Sequence, residues 1–109
     1  MIVRSWRGRT TRANASAYVR HVTQKVFATL KKIRGHRGAY LLQREEADSV
    51  KFVVLTLWDS MQAIREFAGE QVERAVIEPE AQAVLADFDK VVEHYELVYD
   101  SVKDAGPHQ

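Results

Sequence analysis

Four histidines and a few aromatic side chains carry what chemistry this chain can do. His94 stands in Glu93-His94-Tyr95-Glu96, mid-strand among apolar neighbours. Imidazole titrates near neutral pH, so His94 can serve as a general base or a ligand. The plainer reading is a hydrogen-bonded histidine in a subunit interface. His21 follows Tyr18 by three residues, which puts both on one helix face. They read either as a structural tyrosine and a surface histidine, or as base and hydrogen-bond donor lining a pocket between helix and sheet. His36 lies between Arg34 and Arg37, and His108 is next to last, so both read as solvated. Trp6, Trp58 and Phe67 read first as core. Aromatic walls with one or two polar groups are also what a flat polycyclic or quinol substrate needs.

Several chemistries are excluded outright. The chain has no cysteine, so a disulfide framework, a thiolate zinc site, an iron–sulfur cluster and a cysteine nucleophile are ruled out. No glycine loop precedes a helix in the order that cradles phosphate, and no histidine or carboxylate spacing suggests a metal site. No apolar run approaches the roughly 18 residues of a membrane helix, and the start of the chain lacks the build of a signal peptide. A cytoplasmic location and no membrane partner are the expectations.

The elements that must position these residues follow from periodicity. Ile2 to Arg9 alternates as a strand, with Ile2, Arg4 and Trp6 on one face. Thr10 or Thr11 can cap the next helix, whose stripe is Tyr18, Val22, Val26, Leu30 and Ile33. Gly35 ends it. Ala39 to Arg44 is a second strand, and Val50 to Trp58 a third with two apolar faces. A domain this small can cover only one of those faces itself, so a second copy of the chain is expected on the other. Asp59 is expected to cap a helix over Met61 to Ala68, with Gln62 as its capping-box partner. Val72, Ala75 and Val76 predict a further short helix, and Ala81 to Phe88 another. Val91 to Tyr99 completes the set as a fourth strand. The order is βαββαβ, an α+β, ferredoxin-like fold with a four-stranded antiparallel sheet. Residues 1–100 form one domain, and residues 101–109 read as a flexible tail.

The net charge of +1 hides a split. Residues 1–44 hold eleven of the sixteen basic residues and no acid. A basic half can serve nucleic acid, but no aromatic–basic interleaving is present to stack bases. The expectation is no nucleic acid, with the two halves complementing each other and Arg4, Arg7 and Arg9 lying near Glu93 and Glu96.

The stretches Trp6-Arg7-Gly8-Arg9-Thr10, Arg37-Gly38-Ala39-Tyr40, Leu55-Thr56-Leu57-Trp58-Asp59-Ser60 and Glu93-His94-Tyr95-Glu96 resemble the antibiotic biosynthesis monooxygenase family over residues 1–99. The resemblance implies a homodimeric α/β-barrel, with a pocket in each subunit between sheet and helices. It implies a monooxygenase that needs no cofactor, in which a deprotonated aromatic substrate of quinol or anthrone type reduces dioxygen itself. The candidate catalytic residues are then His94, His21 and Tyr18. Trp6, Trp58, Phe67 and Arg4 would bind the substrate, Arg4 by stabilising its anion, and no metal is expected. Heme-degrading relatives carry an Asn on the first strand, a Trp on the second helix and a His ligand after it. The matching positions here are Phe67 and about Ile77, and Ile2 to Arg9 has no Asn, so heme is not expected. The rival reading is a non-enzymatic ligand-binding or stress-associated dimer on the same scaffold.

Overall fold

Alternation along the first strand decides which face of the sheet meets the helices. In the computed structural model, which describes residues 1–104, β1 (Ile2–Thr10) lies between β3 (Val50–Trp58) on one side and two short strands, β4 (Leu85–Phe88) and β5 (Glu93–Glu96), on the other. β2 (His36–Glu45) pairs antiparallel with the outer edge of β3. Every pairing is antiparallel, and Trp6 sits opposite Val54. The fold is α+β and ferredoxin-like, as the element order predicts.

Arg4, Gly8 and Thr10 of β1, and Phe52, Thr56 and Trp58 of β3, are buried on the helix side. Against them lies one long helical rod. It begins with a 3-10 turn (Arg12–Asn14), capped by Thr11, whose hydroxyl accepts from the Asn14 N–H at 3.3 Å. It continues as α1 (Ala15–His21), widens into a π turn (Val22–Val26) and ends as α2 (Phe27–Leu30). Tyr18, Val22 and Leu30 of its predicted stripe are buried. α3 (Met61–Ala68) packs Ala63 and Ile64 onto Trp58, forming a second core cluster beside that of Tyr18, Val22 and Phe52. α4 (Pro79–Val84) and a last turn, α5 (Ser101–Asp104), complete the helices. Residues 105–109, with His108, lie outside the described part.

Five expectations about elements give way in the fold. Residues 81–88 divide: α4 ends at Val84 and Leu85–Phe88 extends along Gly8 to Thr10. The fourth strand is correspondingly short, Glu93–Glu96. No helix forms at Val72 to Val76, because that backbone bonds elsewhere. The Val92 N–H donates to Glu73 O at 2.7 Å, and the Ala75 N–H to Lys90 O at 2.9 Å. Ser60 rather than Asp59 caps α3, accepting from the Ala63 N–H at 3.2 Å, while Asp59 forms a fork with Arg37 through two bonds of 2.6 Å. His36 is the first residue of β2, half-buried with its ring edge-on to Trp58 at 5.0 Å, not solvated in a turn.

The charge split is met across the fold with different partners from those expected. Arg7 pairs with Asp89, Arg9 with Glu46 and Asp87, and Lys25 with Glu80.

Gly35 turns the rod into β2 with φ +90, where a side chain is strained, and a Cβ there would lie 2.6 Å from the buried Ala63 Cβ. Gly35→Ala is expected to cost roughly 2–4 kcal/mol, from left-handed strain plus overpacking. A urea titration reads this as a lower midpoint at unchanged slope.

Candidate active site

A cavity of about 110 Å³ opens between the sheet, the helical rod and the loop leading to α4. Its walls are mostly apolar, Trp6, Val22, Val54, Phe67 and Ile77 among them, and its polar groups include Arg4, Tyr18, His21 and Glu78. Each element places one part. β1 turns Trp6 inward, and Gly8 leaves room for it: a Cβ at Gly8 would lie 2.5 Å from the indole ring. The indole N–H donates to Asp89 O at 2.7 Å, which fixes the ring plane. Tyr18 stacks at a tilt on Phe52, with ring centres 4.8 Å apart. Burial pushes its phenol well above the usual range, so its hydroxyl stays protonated and can donate.

His21 closes α1 where the π turn begins. Its side chain is 8% exposed, and its Nε2 is buried without a hydrogen-bond partner. Two carboxylates arrive from the start of α4. Glu80 Oε2 lies 3.7 Å from Nδ1, and Glu78 Oε2 lies 4.0 Å from Nε2. Lys25 bonds Glu80 at 2.6 Å and holds its carboxyl below the usual range, so negative charge stands beside the imidazole. Local spacing joined His21 to Tyr18 but gave no sign of Glu78 or Glu80, which come from a distant stretch of chain.

Arg4 is buried at 5% exposure and organises the opposite end. Nη1 donates to Val72 O at 2.6 Å and Nη2 to Arg74 O at 2.8 Å, and the guanidinium sits 5.8 Å from the Phe67 ring centre. Nη1 also lies 3.0 Å from His94 Nε2. A guanidinium only donates, so Nε2 accepts and His94 is the neutral tautomer with its proton on Nδ1. His94 faces inward from β5 as the register partner of Arg4, but it does not line the cavity.

Of the predicted site residues, the fold gathers Arg4, Trp6, Tyr18, His21 and Phe67 around one space. It leaves two outside. His94 has its Nε2 engaged by Arg4, and Trp58 is fully buried beneath the wall, stacked on Phe67 at 5.4 Å with its N–H on Thr56 Oγ1 at 2.8 Å. Among the described residues no group of three or more His, Asp or Glu side chains could hold a metal ion.

Burial, and then the charge of Arg4, lower the basicity of His94 below its ordinary 6.5, with Glu73 opposing. Burial lowers His36 in the same direction. A depressed histidine binds fewer protons folded than unfolded. Its contribution is therefore complete above the unfolded value and is lost as pH falls through the folded one. Thermal midpoints are expected to hold above pH 6.5 and decline below it, and His94→Gln should flatten part of that decline.

The fold and the cavity define a ferredoxin-like protein with an aromatic-walled pocket between sheet and helices. The model of the antibiotic biosynthesis monooxygenase family matches residues 1–78, and the chain belongs to that family. No curated protein sequence matches it. Among solved structures it is similar to a candidate antibiotic biosynthesis monooxygenase from Bacillus cereus, with TM-score 0.65, 14% identity, and coverage of 91% of this chain and 94% of that one. It is similar to SnoaB, a cofactor-independent oxygenase from Streptomyces nogalater (TM-score 0.59, 16% identity, 91% and 95% covered). MhuD, a heme degrader from Mycobacterium tuberculosis solved with two hemes in its active site, is also similar (TM-score 0.58, 19% identity, 92% and 98% covered). At these identities the three structures attest the fold alone.

One imidazole, that of His21, lines the cavity. The imidazole that faces it is hemmed by Glu78 and Glu80.

Proposed function

We propose that the chain is a homodimeric monooxygenase of a small phenolic aromatic, quinol- or anthrone-like, that works without a cofactor. The observation that supports it most is the buried, unpartnered Nε2 of His21 in an aromatic-walled cavity, with carboxylates beside the ring. His21 removes the phenolic proton, and Glu80 and Glu78 stabilise the imidazolium. Tyr18, protonated throughout, donates to a substrate oxygen, and Arg4 stabilises the anion. Trp6 and Phe67 hold the ring. The electron-rich anion then reduces dioxygen: a quinol and O₂ give a hydroxyquinone and water, so atoms and electrons balance without an external reductant.

The second copy is supported by the sheet's outer face. Tyr40 and Leu42 are exposed there, in register with the half-buried Leu55 and Val53, and Tyr95 pairs with Val3. Such a contiguous apolar patch is characteristic of an interface.

Oxygen consumption by the purified protein with a panel of quinols and anthrones tests the activity. Wild type is expected to take up oxygen without added heme, and His21→Ala to lower kcat by roughly 10²–10⁴, the usual range for losing a general base. No uptake with any member of the panel would move the assignment to a ligand-binding dimer.

A further inference from the structure

Arg4 is the only charged residue among the described ones that is classed as buried, and no carboxylate of those residues lies within ion-pair distance of it. Buried charges are ordinarily paired, because an uncompensated ion in a low-dielectric site is costly. Its direct partners here are two backbone carbonyls and a neutral imidazole, and Glu73 acts on it only from beyond ion-pair distance. Those dipoles consume three of the five guanidinium N–H groups, both on Nη1 and one on Nη2. The Nε–H and one Nη2–H have no partner among the described residues, and the side chain lines the cavity. The only acid on the cavity wall is Glu78, half-exposed and beside His21.

From this geometry we infer that the cavity selects a single-ring aromatic bearing a carboxylate, whose charge completes Arg4 while its hydroxyl meets His21. This rests on the proposed function and narrows its substrate. A phenol arrives neutral and gives Arg4 a counter-charge only after His21 has acted. A carboxylate arrives ionised at neutral pH and supplies it on binding. The charge-assisted bonds it forms are roughly twice as strong as neutral ones, and a guanidinium edge matches its two oxygens. Size points the same way. An apolar cavity of about 150 Å³ takes one benzene ring, and this one has about 110 Å³, so one ring is the most its present walls accommodate and fused rings require them to part. Burial draws the guanidinium down to about 10, with only the longer-range charge of Glu73 opposing.

The test is anaerobic binding to the wild-type protein, so that neither turnover nor the folding of a variant enters. The ligands are 2,5-dihydroxybenzoate, its neutral amide, and an anthracene carboxylate, titrated by calorimetry. The two indole N–H signals of the chain are followed by NMR. The carboxylate is expected to bind at least tenfold tighter than the amide, and to shift the Trp6 signal on the cavity wall more than that of the buried Trp58. The three-ring acid is expected to bind at least tenfold more weakly than the one-ring acid. Equal affinity for acid and amide would overturn the anion site, and a three-ring acid that binds as tightly would overturn the size limit. Oxygen uptake with neutral quinols but no affinity for the acid would sink this inference alone. Affinity for the acid without any uptake would sink the oxygenase reading and leave the anion site standing.

Discussion

Replacing Arg4 by methionine is expected to lower folding stability by roughly 2–4 kcal/mol, although it removes a charge from the interior. The change strands the carbonyls of Val72 and Arg74, which Arg4 bonds at 2.6 and 2.8 Å. An unsatisfied buried acceptor costs about 1–3 kcal/mol, and relief from burying an unpaired cation offsets part of the sum. The loop from Gln71 to Glu78 has no helix of its own, so these bonds are a main reason it lies down over the cavity. A urea titration should show a lower midpoint. Hydrogen exchange at Ala75 and Val92, whose amides bond across this loop, should accelerate more than exchange at the β1–β3 ladder. Arg4→Lys keeps the charge but lacks the fork geometry, so it should recover only a minor part.

The second large effect separates two tryptophans of similar appearance in the sequence. Trp58→Ala is expected to cost roughly 3–5 kcal/mol, the range for truncating a large buried aromatic, and a substantial fraction of the roughly 5–15 kcal/mol that holds a domain folded. Trp58 is fully buried, stacks on Phe67 and bonds Thr56. Trp6 is only half-buried and faces a cavity that already exists. Trp6→Ala should therefore cost much less stability and instead weaken aromatic ligands by opening the wall. Paired thermal melts and ligand titrations read the two effects apart. Equal losses of stability would contradict the division between core and wall.

Legibility in the sequence tracked the range of the interactions. β1 and β3 could be read almost residue by residue, since alternation is local and both strands run unbroken beside each other. The rod could be read from its stripe, although nothing local announced the π turn at Val22–Val26. The region after Gly69 misled. Val72, Ala75 and Val76 imitate a helical stripe, yet their backbone is claimed by Arg4 and by residues 90–92, which a local window does not contain. Asp59 looked like a cap because Arg37, its true partner, lies 22 residues upstream. The site divided in the same way. Tyr18 and His21 could be paired by helical spacing. The carboxylates beside His21 could not, because α4 brings them from elsewhere in the chain. Arg4 was visible on the Trp6 face of its strand. The pairing of the first strand with the last was legible, but that Arg4 would be buried there and occupy the Nε2 of His94 depended on the register of β1 against β5, which only the fold supplies.

The central claim is that His21, and not His94, takes the substrate's proton. Rapid anaerobic mixing of protein with a quinol whose anion absorbs at longer wavelength than the neutral form isolates that step from oxygen chemistry. Wild type and His94→Gln are expected to generate the anion at comparable rates, and His21→Ala to generate it no faster than buffer. Anion formation that persists in His21→Ala and disappears in His94→Gln would contradict the account and move the base to the Arg4 side of the sheet.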